Sequence, residues 1–329
     1  MALQLKKIKN RNNEPVKFKK TVEYPEPREL DLPCPFYTCL AIGGTGSGKT
    51  YSVCKILKYL EKAKHYYSDG TEAEERIILI SPTYKTNEIW NTLKNLSPDD
   101  IHEDYSNKLL QDILDDIDLK RKEAEKYQAL LKAYRKYCHN EVLSNKETIL
   151  LYTIQFDLSN AVIPQYKVPP VNHIILDDLV CGNAYRPNSL VSNLSVKNRH
   201  KMVNLWILAQ SCNQIPKIVR LQARLLLIYR YNSKNICQDL YDLVAGVLTE
   251  EQFEKIYFET TEERYCFLCI DNTRKEIVLK KNLDNIIEVK KELNPYSKKK
   301  STKKEVKEEP VELKEKKTQE KKLKEIKIL

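Results

Sequence analysis

Glycine is scarce in this chain, with seven among 329 residues, and four of the seven lie between Gly43 and Gly48. A chain so poor in glycine has few positions at which the backbone can turn without steric cost. Glycine is also absent, together with proline, from residues 99–163. The concentration of glycine in one short segment therefore predicts a loop whose backbone must approach a ligand closely.

Long apolar runs are absent as well. No run of 18 or more apolar residues occurs, which excludes a membrane-spanning helix. The first residues, MALQLKKIKNRNNEP, contain no apolar segment of the signal-peptide type, so we expect a protein that is not secreted. The nine cysteines are scattered and fit buried free thiols, although the Cys266-x-x-Cys269 spacing leaves a zinc or redox role open.

The net charge of +10 is concentrated near the two ends of the sequence. Residues 1–20 and residues 298–329 each carry +6, whereas the segment between them carries −2. Such basic segments either bind nucleic acid through its phosphates or remain solvated and disordered, and composition leaves both readings open. We predict a basic N-terminal arm over 1–33, one domain over 34–292 and a disordered Lys/Glu-rich tail over 293–329.

Apolar runs and helical patterns alternate along the predicted domain. Strands are expected at 35–44, 75–83, 148–156, 173–181, 204–211 and 224–231, and a hairpin is expected to turn at Asp271-Asn272. A helix should follow the first strand, with Val53, Ile56, Leu57 and Leu60 as its buried face. Strands separated by helices predict an α/β fold with a mostly parallel central sheet flanked by helices.

A helical insertion is predicted at about 99–145. Apolar residues recur there at alternating three- and four-residue spacing, which indicates a long helix or a helical hairpin. The insertion either packs on the sheet or binds a partner. The predicted stripe consists of Leu110, Ile113, Ile117, Ala124, Tyr127, Leu131, Tyr134 and Cys138.

The glycine-rich segment matches the P-loop pattern Gly43-x-x-x-x-Gly48-Lys49-Thr50, and it lies between a predicted strand and a predicted helix. Backbone N–H groups must point at phosphate oxygens there, and side chains would block that approach. The alternative is a glycine-rich turn before a helix. We favour a P-loop NTPase fold in which Lys49 reaches the β- and γ-phosphates of ATP and Thr50 binds Mg²⁺. The predicted nucleotide contacts are Gly43, Gly44, Thr45, Gly46, Ser47, Gly48, Lys49 and Thr50.

Two carboxylates follow the apolar run HIIL and are predicted to lie beside the phosphates. Asp177 is expected to hold Mg²⁺, directly or through water, and Asp178 is expected either to accept a proton from the attacking water or to orient it. The alternative for this pair is a loop start or a helix N-cap.

Two further residues favour hydrolysis over phosphate transfer to an acceptor. Gln210 ends an apolar strand and can orient the water, unless it is only a polar residue at a strand end. Arg199 precedes that strand and is a candidate arginine finger for a neighbouring subunit, with Arg220 and Arg224 as competitors and an ordinary surface arginine as the alternative.

Taken in order, GGTGSGKT, IILDDL and NRHKMVNLWILAQSCNQIPKIVRLQARLLL resemble the FtsK–HerA superfamily of DNA-pumping ATPases. More narrowly, they resemble the genome-packaging ATPases of nucleocytoplasmic large DNA viruses and virophages. The resemblance covers about 37–230 and is carried by Arg199-His200, the strand ending at Gln210, Ile215-Pro216 and Val219-Arg220. Asp178 departs from it, because many members have Glu there.

The resemblance implies an ATP-driven motor that moves double-stranded DNA into a viral capsid. It also implies a homo-oligomeric ring, capsid-protein partners, and a location at a viral assembly site in the host cytoplasm or in the virion. Basic residues of the segment Ala184–Lys201 are candidate DNA contacts, namely Arg186, Lys197 and Lys201, with ordinary solvated surface charges as the alternative. Two other functions stay open, a P-loop phosphotransferase acting on a small molecule or nucleoside and a nucleotide-gated scaffold that does not hydrolyse.

Overall fold

The computed structural model of the chain describes residues 23–29, 31–179, 183–186 and 189–288. The chain divides into one unit over Met1–Ile287 and a second over Glu288–Leu329. Predictions for the C-terminal tail, and for the first 22 residues of the N-terminal arm, fall outside the described residues. The described part of the arm contributes a short strand and the buried side chain of Leu32.

The described residues form twelve strands and seven α-helices. The strands are β1 Glu26–Pro27, β2 Thr38–Ile42, β3 His65–Tyr66, β4 Glu72–Ala73, β5 Glu75–Ile80, β6 Leu96–His102, β7 Val171–Asp177, β8 Val203–Ala209, β9 Ala223–Tyr229, β10 Phe267–Asp271, β11 Val278–Lys281 and β12 Asn285–Ile286. The helices are α1 Lys49–Ala63, α2 Asn107–Cys138, α3 Asn145–Tyr152, α4 Leu190–Lys201, α5 Lys217–Gln222, α6 Lys234–Asp242 and α7 Glu250–Thr260.

Nine of these strands form a central sheet in the order β12-β11-β10-β9-β2-β8-β7-β5-β6. The six strands from β9 to β6 pair in parallel, and β10, β11 and β12 add an antiparallel edge, as the predicted hairpin requires. The predicted α/β fold with a mostly parallel sheet is therefore confirmed. The order also places β8 between β2 and β7, which brings the ends of these three strands to adjacent positions.

Both faces of the central strands are covered. Every residue of β2, β7 and β8 is buried, which explains why these strands appear in the sequence as continuous apolar runs. Helix α1 packs on one face through Val53, Ile56, Leu57 and Leu60, the four positions predicted from the sequence. The sheet and α1 together hold the segment that connects β2 to α1.

The helical insertion is a hairpin of α2 and α3. The predicted strand at 148–156 is wrong, because residues 145–152 form α3 and Gln155 and Phe156 adopt left-handed conformations after it. A capping box explains the helix, since the Ser144 hydroxyl accepts from Glu147 N–H and the Glu147 carboxylate accepts from Ser144 N–H. The Ser-x-x-Glu spacing was visible in the sequence and outweighs the β-branched residues that follow it.

The predicted apolar stripe matches the buried residues of α2 only in the first half of the helix. Leu110, Ile113, Ile117 and Ala124 are buried, but the second half buries Leu130 and Ala133, and Cys138 is exposed. The shift arises because α3 packs against this second half through Leu151 and Ile154, from a direction that the sequence does not specify. The helix also begins at Asn107, since residues 99–102 belong to β6, an unpredicted edge strand that contains Pro98.

A buried arginine connects α2 to the edge of the sheet. The Arg76 guanidinium on β5 donates to Asp100 Oδ2 at 2.9 Å on β6 and to Asp116 Oδ2 at 2.6 Å on α2. Arg76 is 8% exposed and Asp100 is 9% exposed. The two carboxylates compensate the buried cation, so removal of the arginine would leave Asp100 buried without its partner.

We expect Arg76→Ala to lower the free energy of unfolding by about 3–5 kcal/mol, because a buried carboxylate loses its counter-charge. Urea unfolding at neutral pH measures this change. Lys85→Ala is the matched control, since its 2.8 Å pair with Glu103 is exposed and such pairs contribute about 0–1 kcal/mol. Similar decreases in the free energy of unfolding of both variants would contradict the structural role assigned to Arg76.

None of the helices in the described ranges combines the length and the apolar character that crossing a bilayer needs.

Candidate functional site

The glycine-rich segment forms a loop between the carboxyl end of β2 and the first turn of α1. Gly46 and Gly48 have φ angles of 71° and 94°, in the left-handed region that side chains disfavour. A Cβ at Gly43 would lie 2.6 Å from Ser47 Oγ and 2.7 Å from Tyr229 Cβ, so no larger residue fits there. Three of the four glycines are thus required by backbone conformation or by space, as a phosphate-binding loop demands.

Lys49 folds back onto this loop. Its Nζ donates to the carbonyl oxygens of Gly43 at 2.6 Å and of Gly44 at 2.9 Å. Burial lowers the pKa of Lys49, and the nearby charges of Asp177 and Asp178 oppose that effect. A buried hydroxyl, Ser47 Oγ, has no hydrogen-bond partner inside the same loop. The loop therefore combines a positive charge with an unpaired polar atom, both of which suit a phosphate group.

The two carboxylates stand at the end of β7, beside Lys49. Asp177 is 4% exposed, and its Oδ2 accepts from Ser81 Oγ at 3.4 Å. Burial, with a further contribution from Asp178, raises the pKa of Asp177 to about 6. The charge of Lys49 opposes this rise only in part, and a buried carboxylate beside a phosphate-binding loop is the type of oxygen ligand that Mg²⁺ prefers.

Asp178 contacts Gln210, which follows β8. Gln210 Nε2 donates to Asp178 Oδ1 at 3.1 Å, and the hydroxyl of Tyr231 donates to the Gln210 carbonyl. Asp178 has a φ of 52°, an uncommon conformation for a residue other than glycine and one that is often found at functional sites. Since β8 lies between β2 and β7, the P-loop, the two carboxylates and the Gln210 amide meet at the carboxyl ends of these three strands.

Two residues that contact this site, Ser81 and Tyr231, were not predicted from the sequence. Ser81 directly follows β5 and is fully buried against Asp177, and Tyr231 follows β9. Both are polar residues placed just after a buried parallel strand, which is the signal that identified Asp177 and Gln210. The same rule, applied to every predicted strand, would have found them.

Two of the three candidate arginines, Arg199 and Arg224, lie away from this site. Arg199 is exposed near the end of α4, and its guanidinium stands 5.7 Å from the ring centre of Tyr24. It precedes β8 whereas Gln210 follows that strand, so the seven residues of β8 separate them by about 20 Å. Arg224 donates to the carbonyls of Asn272 and Thr273, at 2.9 and 2.8 Å, which is a structural role.

The cations considered for DNA contact differ in their surroundings. Arg186 and Lys197 are exposed, whereas Lys201 pairs with Asp118 and so connects α4 to α2. Residues 180–182 and 187–188, which belong to the same connection, lie outside the described residues. Lys201 is therefore a weaker candidate for a DNA contact than Arg186 and Lys197.

A cysteine-based metal site finds no support in the described ranges. Cys269 is buried in β10, and the Cys266 thiol lies 3.8 Å from Glu263 Oε2. No group of three or more His, Cys, Asp or Glu side chains in the described part of the chain is arranged to hold a metal. A Mg²⁺ ion at Thr50 and Asp177 would accordingly take its remaining ligands from phosphate oxygens and water, as Mg²⁺ commonly does.

The raised pKa of Asp177 predicts a pH-dependent stability. A carboxyl with a higher pKa in the folded chain than the ordinary 3.8 stabilises the fold below pH 3.8, and this contribution is lost as the pH rises through about 6. We expect Asp177→Asn to be more stable than the wild type at pH 8 by on the order of 2 kcal/mol, with the difference closing toward pH 4. Urea unfolding with a chelator at both pH values measures it. A difference that is the same at pH 4 and pH 8 would contradict the burial of a charged Asp177.

Comparison with solved structures finds similarity to an NTPase and an ATPase. The genome packaging NTPase B204 from Sulfolobus turreted icosahedral virus 2, in complex with ATP-gammaS, is similar with a TM-score of 0.40 and 14% identity, over 74% of this chain and 95% of that chain. The cytoplasmic domain of the Thermomonospora curvata type VII secretion ATPase EccC is similar with a TM-score of 0.37 and 15% identity, over 74% of this chain and 25% of that chain. No family model and no curated protein matches the sequence.

Proposed function

We propose that this chain is a Mg²⁺-dependent ATPase that works as a motor on double-stranded DNA. The observation that carries the hydrolytic part is the 3.1 Å hydrogen bond between Gln210 and Asp178, at the sheet edge that also holds the P-loop and Asp177. A carboxylate and an amide held together beyond a phosphate-binding loop are suited to hold and deprotonate a water molecule.

Each residue of the site has a separate role in this proposal. The loop Gly43–Gly48 offers backbone N–H groups to the phosphates, and Lys49 leaves its loop carbonyls to reach the β- and γ-phosphates. Thr50 and Asp177 hold Mg²⁺, which when bound neutralises charge that develops on the phosphate oxygens. Asp178 accepts the proton of the attacking water, and Gln210 orients both the carboxylate and the water.

The motor part rests on the resemblance to the FtsK–HerA superfamily and on the position of Arg199. An exposed arginine about 20 Å from the site of its own chain cannot complete that site, but it can reach the site of a neighbour in a ring. In this proposal the protein assembles as a homo-oligomeric ring, contacts DNA through its backbone phosphates, and works with capsid proteins at a viral assembly site in the host cytoplasm or in the virion.

The test measures phosphate release from ATP with Mg²⁺, with and without duplex DNA, together with the oligomeric mass in a non-hydrolysable ATP analogue. We expect turnover without any added acceptor, stimulation by DNA, and a closed oligomer. Turnover that requires a small-molecule acceptor would instead identify a phosphotransferase. Tight ATP binding with no more phosphate release than Lys49→Ala would identify a nucleotide-gated scaffold.

A further inference from the structure

Two exposed tyrosines border the P-loop. Tyr51 is 63% exposed and follows Thr50 in the first turn of α1, and Tyr265 is 53% exposed and lies just before β10. In the sheet, β10 lies on one side of β2, whereas β8 and β7 lie on the other. Tyr265 therefore stands on the side of the loop opposite to the Asp177–Asp178 pair.

The two tyrosines line one open cavity of about 210 Å³, together with Arg264, Phe267 and Leu283. This volume is smaller than the ~300–1,000 Å³ of pockets that enclose drug-sized ligands. The cavity thus suits a planar ring system and is too small for a whole nucleotide. Its walls combine aromatic and apolar side chains with the polar residues Ser52, Lys55, Arg264 and Asn282, so a planar ring can stack against the tyrosines there.

Tyr265 is held in place at some cost. Its φ of 69° puts a bulky residue in the left-handed region, which is rare and is found where the surrounding structure or the function requires it. A Cβ at Gly48 would lie 3.2 Å from Tyr265 Cδ1, so the ring stands directly against the loop. The Arg264 guanidinium covers the same ring at 4.7 Å from its centre.

The direction of the bound nucleotide follows from the site. Asp178 and Gln210 mark the γ-phosphate end, so the α-phosphate and the nucleoside leave the loop on the other side, toward Tyr51 and Tyr265. We propose that the cavity between these tyrosines binds the nucleobase of ATP by stacking. This inference rests on the proposed ATPase function and adds the nucleobase contacts to its site.

A second cavity is the other candidate location for the nucleobase. It measures about 490 Å³, lies between α6 and α7, and is lined by aromatic residues that include Tyr231 and Phe258. Its Tyr231 hydroxyl donates to the Gln210 carbonyl, so one wall of this cavity contacts the residue assigned to the γ-phosphate end. A nucleobase in this cavity would contact neither Tyr51 nor Tyr265.

Equilibrium binding of Mg-ATP and of inorganic triphosphate, which has no base, tests the proposal. We expect Tyr51→Ala and Tyr265→Ala to weaken ATP binding by on the order of 10- to 100-fold, the range of base–aromatic stacking. Triphosphate affinity should stay unchanged in both variants. Tyr265→Phe keeps the ring and should retain ATP affinity.

Phe258→Ala in the second cavity and Tyr152→Ala, an exposed tyrosine on α3, are the controls and should bind both ligands as the wild type does. Loss of ATP affinity in Phe258→Ala alone would overturn the proposal, as would equal losses for ATP and triphosphate in the tyrosine variants. A wild type that binds triphosphate as tightly as ATP would refute only the base site. A wild type that binds neither would refute the ATPase function itself.

Discussion

Arg199→Ala should reduce ATP turnover by about 10³- to 10⁵-fold, the range assigned to arginine fingers in phosphoryl transfer. The physical reason is that the γ-phosphate loses a cation that stabilises the charge of the transition state. Arg199 lies at the end of β8 opposite to the P-loop of its own chain, so a subunit with an intact Arg199 should restore the lost turnover. Steady-state phosphate release of the assembled protein measures the effect.

The repair experiment mixes Arg199→Ala with a Lys49→Ala, Asp178→Asn double variant. The first has an intact nucleotide site and no finger, and the second has an intact finger and no working site. Activity should appear in the mixture and pass through a maximum as the ratio varies. Lys217→Ala, an exposed cation on α5, is the control and should retain its turnover. Inactivity at every mixing ratio would show that Arg199 does not act on a neighbour.

Asp178→Asn should lower turnover by about 10²- to 10⁴-fold, the usual contribution of a general acid or base. The substitution is well matched to the structure. Asparagine tolerates the left-handed φ of 52° at this position, and its amide oxygen can still accept from Gln210 Nε2. The negative charge and the ability to take a proton are removed while the hydrogen bond is kept, so the rate should fall while the fold of the site is preserved.

Affinity for a non-hydrolysable ATP analogue and thermal stability are the accompanying measurements, and both should match the wild type. A variant that keeps at least half of the wild-type rate would mean that another group activates the water. A variant that loses ATP affinity along with its rate would mean that Asp178 shapes the nucleotide site and does not act on the water.

Local patterns in the sequence were sufficient wherever the physics is local. The P-loop spacing predicted a glycine-rich loop, in which three of the four glycines are required by φ angle or by space, and the apolar positions of α1 predicted its buried face. The strands β2, β5, β7, β8 and β9 were recognised because strands buried on both faces are predominantly apolar. The carboxylates after β7 followed from the same reasoning.

Local patterns failed where packing between distant segments decides the outcome. The residues of α3 have the β-branched composition of a strand, but a capping box and the apolar face of α2 make a helix there. The buried face of α2 shifts at Leu130 for the same reason, because α3 covers a side of the helix that no periodicity can specify.

The arrangement of the site also depends on strand order. The sequence contains Asp178 and Gln210 but not their contact, which exists because β8 pairs between β2 and β7. Arg199 and Gln210 are close along the chain, but β8 lies between them and places them at opposite ends of that strand. Motif chemistry is local and can be read from residue types. The distances between motifs are set by non-local strand pairing, and this is why they emerge only in the folded chain.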